Sequence, residues 1–127
     1  MFRGVIIEES LEDKNVLKRF PVLEKETEQV TPNFGTPWLT EWNLHTIEVP
    51  DDQIAEYAKE VQSALDGARH NWYADFKTDT THYIIFKGRV FVIDRTKKEE
   101  YQEAQDYGIS LGIPPHQVNF TANTVTI

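Results

Sequence analysis

With 127 residues, 39% hydrophobic and 27% charged, the chain suits a single domain (1–127) whose core needs no metal or disulfide. A net charge of −8 opposes phosphate backbones and anionic lipid, so neither nucleic acid nor a membrane is an expected partner. The absence of cysteine excludes thiol catalysis and Cys-ligated zinc, and no run approaches the ~20 apolar residues of a bilayer span.

In chain order, FRGVIIE (2–8) reads as a short strand, and its apolar run at 5–7 is too short for a signal-peptide core, so a cytoplasmic setting is expected. Residues 16–30 are β-leaning and acidic, with Pro21 marking an edge strand or a break. TPNFGTPW (31–38) is a loop by its Pro and Gly content. WNLHTIEV (42–49) alternates as a strand does, and Pro50, Asp51 and Asp52 then open a helix. Ile54, Ala58, Val61 and Leu65, with Tyr57 and Ala64, form its apolar stripe, and Asp66-Gly67 ends it through a left-handed glycine.

The most informative block runs from Trp72 to Asp94 and holds six of the fifteen aromatic residues. Its alternation, broken by turn chemistry at 78–80 and 87–88, predicts a three-stranded antiparallel meander. Thr96 to Glu99 then has the T-x-x-E spacing of a capping box, and Tyr101, Ala104, Gly108 and Leu111 share a helix face. Gly112 and Pro114 stop that helix, leaving QVNFTANTVTI as a short strand or a frayed tail. The expected class is α+β: a mostly antiparallel sheet with two helices packed on one face. The order is a ferredoxin-like-related β-α-β-β-β-α after an N-terminal pair of strands. A right-handed crossover makes 42–49 and 72–77 parallel, with 81–87 expected between them.

A three-residue loop at 78–80 pairs Phe76 with His82, Ala74 with Ile84 and Trp72 with Phe86, an almost wholly apolar face that continues to Arg89, Phe91 and Ile93. The opposite face then carries Tyr73, Asp75, Lys77, Thr81, Tyr83, Ile85, Val90 and Val92. That is unusually apolar for a solvated sheet surface. Cover by the chain's own N-terminal strands, by a second copy, or by a ligand would account for it.

Site chemistry is sparse. His45, His70, His82 and His116 form no metal-ligand spacing, and no metal or other cofactor is expected. Glu8, Glu9, Glu12 and Asp13 lack an EF-hand pattern, no serine lies in a hydrolase motif, and the glycines form no phosphate loop. The basic run Lys87, Arg89, Arg95, Lys97 and Lys98 is followed at once by Glu99 and Glu100, which reads as a solvated mixed-charge surface. Trp38, Trp42 and Trp72 are more economically core than pocket. Asp75, set between Trp72-Tyr73 and Phe76, is the foremost catalytic candidate, with His82 or His45 assisting as acid or base. An Asp paired with Lys77 or a tyrosine hydroxyl is the plainer alternative.

TPWL (36–39), LHTIEV (44–49), WYADFK (72–77), HYIIF (82–86) and YGISLGIP (107–114) resemble a family of small prokaryotic proteins described as hypothetical. The resemblance implies a prokaryotic, cytoplasmic setting and carries no activity or site residue. The leading expectation is a binding or interaction module, self-associating through Tyr73, Asp75, Tyr83, Ile85, Val90 and Val92, or taking a protein or small molecule there. A small enzyme or metabolite binder using Asp75 is the alternative.

Overall fold

The structure, a computed structural model, describes residues 1–32, 36–67 and 71–118. His70 and the tail after Val118 therefore lie outside the described residues, as does part of the 31–38 loop. In order come β1 (Phe2–Ile7), β2 (Val22–Gln29), β3 (Glu41–Val49), α1 (Ile54–Ala64), β4 (Tyr73–Lys77), β5 (Thr81–Phe86), β6 (Val90–Asp94) and α2 (Lys98–Ser110). The strands form one antiparallel sheet in the order β2-β3-β1-β4-β5-β6, so the class is α+β.

Strands β3 and β4 are parallel to each other as expected, but β1 rather than β5 lies between them. The composition of β1 explains its central place. Phe2 and Ile6 are buried toward one side of the sheet, while Val5 and Ile7 are half-buried on the other. Gly4 lies opposite Phe76 on β4, and a Cβ there would run into the Asp75 carbonyl and the Phe76 ring. The missing side chain is what lets β1 approach this closely.

The β5–β6 hairpin has its predicted two-residue turn at Lys87-Gly88, closed by Phe86 N–H donating to the Arg89 carbonyl at 2.8 Å. The β4–β5 turn is one residue shorter than expected. Thr78 N–H donates to the Thr81 carbonyl at 2.9 Å, and the Thr78 hydroxyl oxygen accepts from the amides of Thr80 and Thr81. Only Asp79 and Thr80 remain in the loop. This side-chain turn draws Thr78 into the ladder, so Lys77 pairs with His82, Asp75 with Ile84 and Tyr73 with Phe86. A shift of one residue turns every β4 side chain to the other face.

The flip separates the helices, which pack on opposite faces instead of sharing one. Helix α1 buries Tyr57, Ala58 and Val61 in a cluster with Trp72, Ala74, Phe76 and Ile85. Helix α2 buries Tyr101 and Ala104 against Ile84, Phe86, Phe91 and Ile93. Both sides of the β4–β5 pair are thus core, and near-continuous apolar sequence there meets two helices.

Two helix ends also depart from expectation. No capping box forms at α2: Lys97 is the N-cap and makes no side-chain cap bond. The Thr96 hydroxyl instead donates to Asp94 at 2.7 Å, and the Glu100 carboxylate accepts from the Asp94 amide at 3.0 Å. At the end of α1, Leu65 is extended and bridges to Leu11, and Gly67 has no positive φ. The Lys87 ammonium donates to the Leu65 and Ser63 carbonyls, at 2.5 and 3.3 Å, doing the work expected of a glycine cap. Gly112 after α2 does take φ +91°.

Candidate functional site

Helix α2 and the turn at Pro115–Gln117 cover only part of their side of the sheet. Over β2, β3, β1 and β4 that same face forms a groove with a cavity of about 610 Å³. Its floor is Val5, Ile7, Leu44 and Thr46, with Trp42 and Trp72 beside it. One wall is Glu24, Glu26 and Glu28, projecting at alternate positions from the exposed edge strand β2. The other wall includes Asp75, Tyr73 and the 116–117 turn. Glu24 pairs with Thr46, Thr46 with Val5 and Val5 with Asp75, so the acidic walls stand three interstrand steps apart. That is about 14 Å at the usual strand spacing.

The walls are fixed by specific contacts. The Trp42 indole N–H donates to Thr36 Oγ1 at 2.9 Å, and its ring lies 5.3 Å from that of Trp72, centroid to centroid. The Tyr73 hydroxyl donates to the Gln117 carbonyl, tying the 115–117 turn to the sheet. Burial first, and the neighbouring Asp75 charge second, push the Tyr73 phenol well above its ordinary pKa.

Asp75 and His82, the leading pair from sequence, are brought together. His82 Nε2 lies 2.7 Å from Asp75 Oδ2, and His82 Nδ1 lies 3.0 Å from the Tyr101 hydroxyl. A neutral imidazole protonated at Nε2 satisfies all three groups: it donates to Asp75 and accepts from Tyr101, a tautomer assigned from the network. The roles are unequal. His82 is fully buried beneath α2, whereas the Asp75 side chain keeps 15% of its surface and lines the groove. Asp75 is the group that can touch a ligand; His82 holds it.

The other candidates are dispersed. His45 faces the opposite side of the sheet, where Nε2 lies 2.9 Å from Glu8 Oε1, so it cannot serve Asp75. Tyr83, Ile85, Val90 and Val92 are also on that opposite side, separated by the register shift from Tyr73 and Asp75. Ile85 is fully buried there, Tyr83 packs edge-on against Phe2, and Val92 is exposed. Among the acidic residues near the N-terminus, Glu8 pairs with His45, and Glu9 accepts from both the amide and the side chain of Asn43. Among the described residues, no group of three or more His, Asp or Glu is placed to hold a metal.

Sequence reasoning passed over Glu24, Glu26 and Glu28, although their alternation was legible as one face of a strand. Lys77, expected only as an alternative partner for Asp75, lies on the same face of β4 as Asp75, opposite Arg3 and His82. Lys77 is only 8% exposed, and among the described residues its Nζ has no hydrogen-bond partner. Burial holds its amine below the ordinary lysine value, with Asp75 opposing that shift and Arg95 adding to it.

Comparison with protein-family models, curated proteins and solved structures returns no match. No helix among the described residues is long and apolar enough to cross a membrane.

Proposed function

We propose that this protein is a small cytoplasmic binding module whose groove takes an amphipathic ligand carrying positive charge, such as an alkyl amine or a basic peptide side chain. The observation that carries the reading is the arrangement of acidic walls, Glu24, Glu26 and Glu28 facing Asp75, around an apolar floor. An apolar stem gains by leaving water on Val5, Ile7 and Leu44. A cationic head gains a carboxylate and, beside Trp42, an aromatic face. The wall separation suits a ligand with cationic groups at both ends of an alkyl chain.

Calorimetry with 1,8-diaminooctane, octylamine and octanoate tests this. Saturable binding in the order diamine, monoamine, carboxylate is expected, with Asp75→Asn and Glu26→Gln each weakening the diamine by roughly tenfold. Binding of octanoate as tight as that of the diamine would reject the reading.

The contact between Asp75 and His82 also favours an enzymatic reading, in which Asp75 accepts a proton from a groove-bound substrate while His82 orients it. That reading requires turnover, not only binding, to disappear in Asp75→Asn. Self-association has less support, because the residues expected to mediate it are divided between two faces.

A further inference from the structure

A second cavity, of about 650 Å³, opens at the other end of β1, β3 and β4. Three cationic side chains from three separate elements line it, Arg3 on β1, Lys77 on β4 and Arg95 just after β6, together with Met1. We propose that this cavity binds a small phosphate, either the free ion or the phosphoryl group of a monoester. The proposal is independent of the reading of the groove.

The charges decide the ligand class. Glu48, Asp51 and Asp79 also line the cavity, so it is not simply basic. Two of those carboxylates are already engaged: Glu48 accepts from Arg3 at 3.3 Å, and Asp51 lies 2.6 Å from the N-terminal ammonium. Neither Lys77 nor Arg95 has an ion-pair partner among the described residues, which leaves two uncompensated cations against Asp79. The lining therefore keeps one net positive charge, which favours an anion, and the Arg95 fork beside the Lys77 ammonium favours one that offers several oxygens, as a phosphate does.

Position supports the same class. The Arg95 guanidinium is held by donating from Nη1 to the Thr78 carbonyl at 2.6 Å, so its fork is placed before a ligand arrives. Lys77 is more than nine-tenths buried, lines the cavity, and has a hydrogen-bonding group that none of the described residues satisfies. A buried polar group in that condition is costly, and an oxyanion drawn into the cavity beside it would offset its charge. The Thr78 hydroxyl oxygen accepts two backbone amides and lies 3.5 Å from Thr80 Oγ1, so two hydroxyl-bearing residues also line the cavity.

The test is titration of the full chain with inorganic phosphate at constant ionic strength, followed by ³¹P NMR and calorimetry, with acetate as comparison. Saturable single-site binding is expected, with acetate weaker. Lys77→Met and Arg95→Gln should each weaken phosphate by roughly tenfold or more, the loss expected when a charge-assisted hydrogen bond is removed. Glu26→Gln, in the groove, should leave it unchanged, so failure here is distinguishable from failure of the groove. Arg95→Gln alters a side chain outside the core and decides the matter even if Lys77→Met perturbs folding. Absence of saturable phosphate binding, equal affinity for acetate, or wild-type affinity in Arg95→Gln would each overturn the proposal.

Discussion

His82 Nε2 lies 2.7 Å from Asp75 Oδ2, joining a fully buried ring to a carboxylate at the groove wall. The contact exists because the β4–β5 turn holds two residues, which puts both side chains on one face. The Tyr101 hydroxyl of α2 closes the chain at 3.0 Å. Removing the ring takes a hydrogen bond from each of these two groups and opens a cavity. His82→Ala is therefore expected to cost about 3 kcal/mol in urea unfolding, and Tyr101→Phe about 1 kcal/mol. Equal stability of His82→Ala and wild type would show that the chain of contacts is dispensable.

Gly4 is a sharper test of the topology. A methyl group at this position must overlap the Asp75 carbonyl and the Phe76 ring, both in the middle of the sheet. The backbone cannot yield without parting β1 from β4. Gly4→Ala should lose about 3 kcal/mol or more, or fail to fold, as judged by circular dichroism and denaturant unfolding. A mild effect would mean that β1 is not wedged between β3 and β4.

Much of this architecture was legible because it rests on periodicity. The stripe of α1, the turn at Lys87-Gly88 and the strand character of β3 through β6 follow from local pattern and agree with the structure. The register of β4 was not legible in the same way. Hydrophobic pattern favoured the alignment that gathers Trp72, Ala74 and Phe76 with Ile84 and Phe86 on one face, but both faces of this pair are buried, and the Thr78 side-chain turn sets the other register. The long-range place of β1 escaped for a similar reason, since nothing local marks which strands a short apolar segment joins. The site inherited these limits: Asp75 and His82 were named from their residue types, but their meeting depends on the flipped register.

Lys77 gives a pH signature. Burial lowers its amine pKa, aided by Arg95 and opposed by Asp75 on its own strand, with Arg3 and His82 paired across from it on β1 and β5. A lysine with a lower pKa folded than unfolded binds more protons when unfolded, so stability should rise with pH between those two values. Below that window the cost of burying the charge is present in full. Lys77→Met removes it and is expected to stabilise the phosphate-free protein by about 1 kcal/mol at neutral pH. The advantage should shrink as pH climbs toward about 10, the ordinary lysine range. Comparing unfolding of the two proteins at several pH values cancels the tyrosine contributions; an advantage constant across the series would contradict the assignment.

The tyrosines supply the opposite slope. Burial is the main reason that the Tyr57 and Tyr73 phenols both titrate well above their ordinary value, with Glu60 adding to the first and Asp75 to the second. Each hydroxyl donates to a carbonyl, Tyr57 to Val16 at 2.6 Å and Tyr73 to Gln117, and ionisation would abolish both donors. The folded protein should therefore hold these two phenols neutral where the unfolded chain ionises them. Ultraviolet titration at about pH 11, above the ordinary tyrosine pKa near 10, should find at least two fewer tyrosinates in the folded protein than in urea. Because the folded pKa values are raised, the stability these groups contribute is present below about pH 10 and is lost as the pH rises beyond it. Tyr73→Phe should restore one phenolate's difference and release the 115–117 turn from the sheet, which amide exchange at Gln117 and Val118 would register. If that turn stayed equally protected, the Tyr73 hydroxyl would not be what holds it against β4.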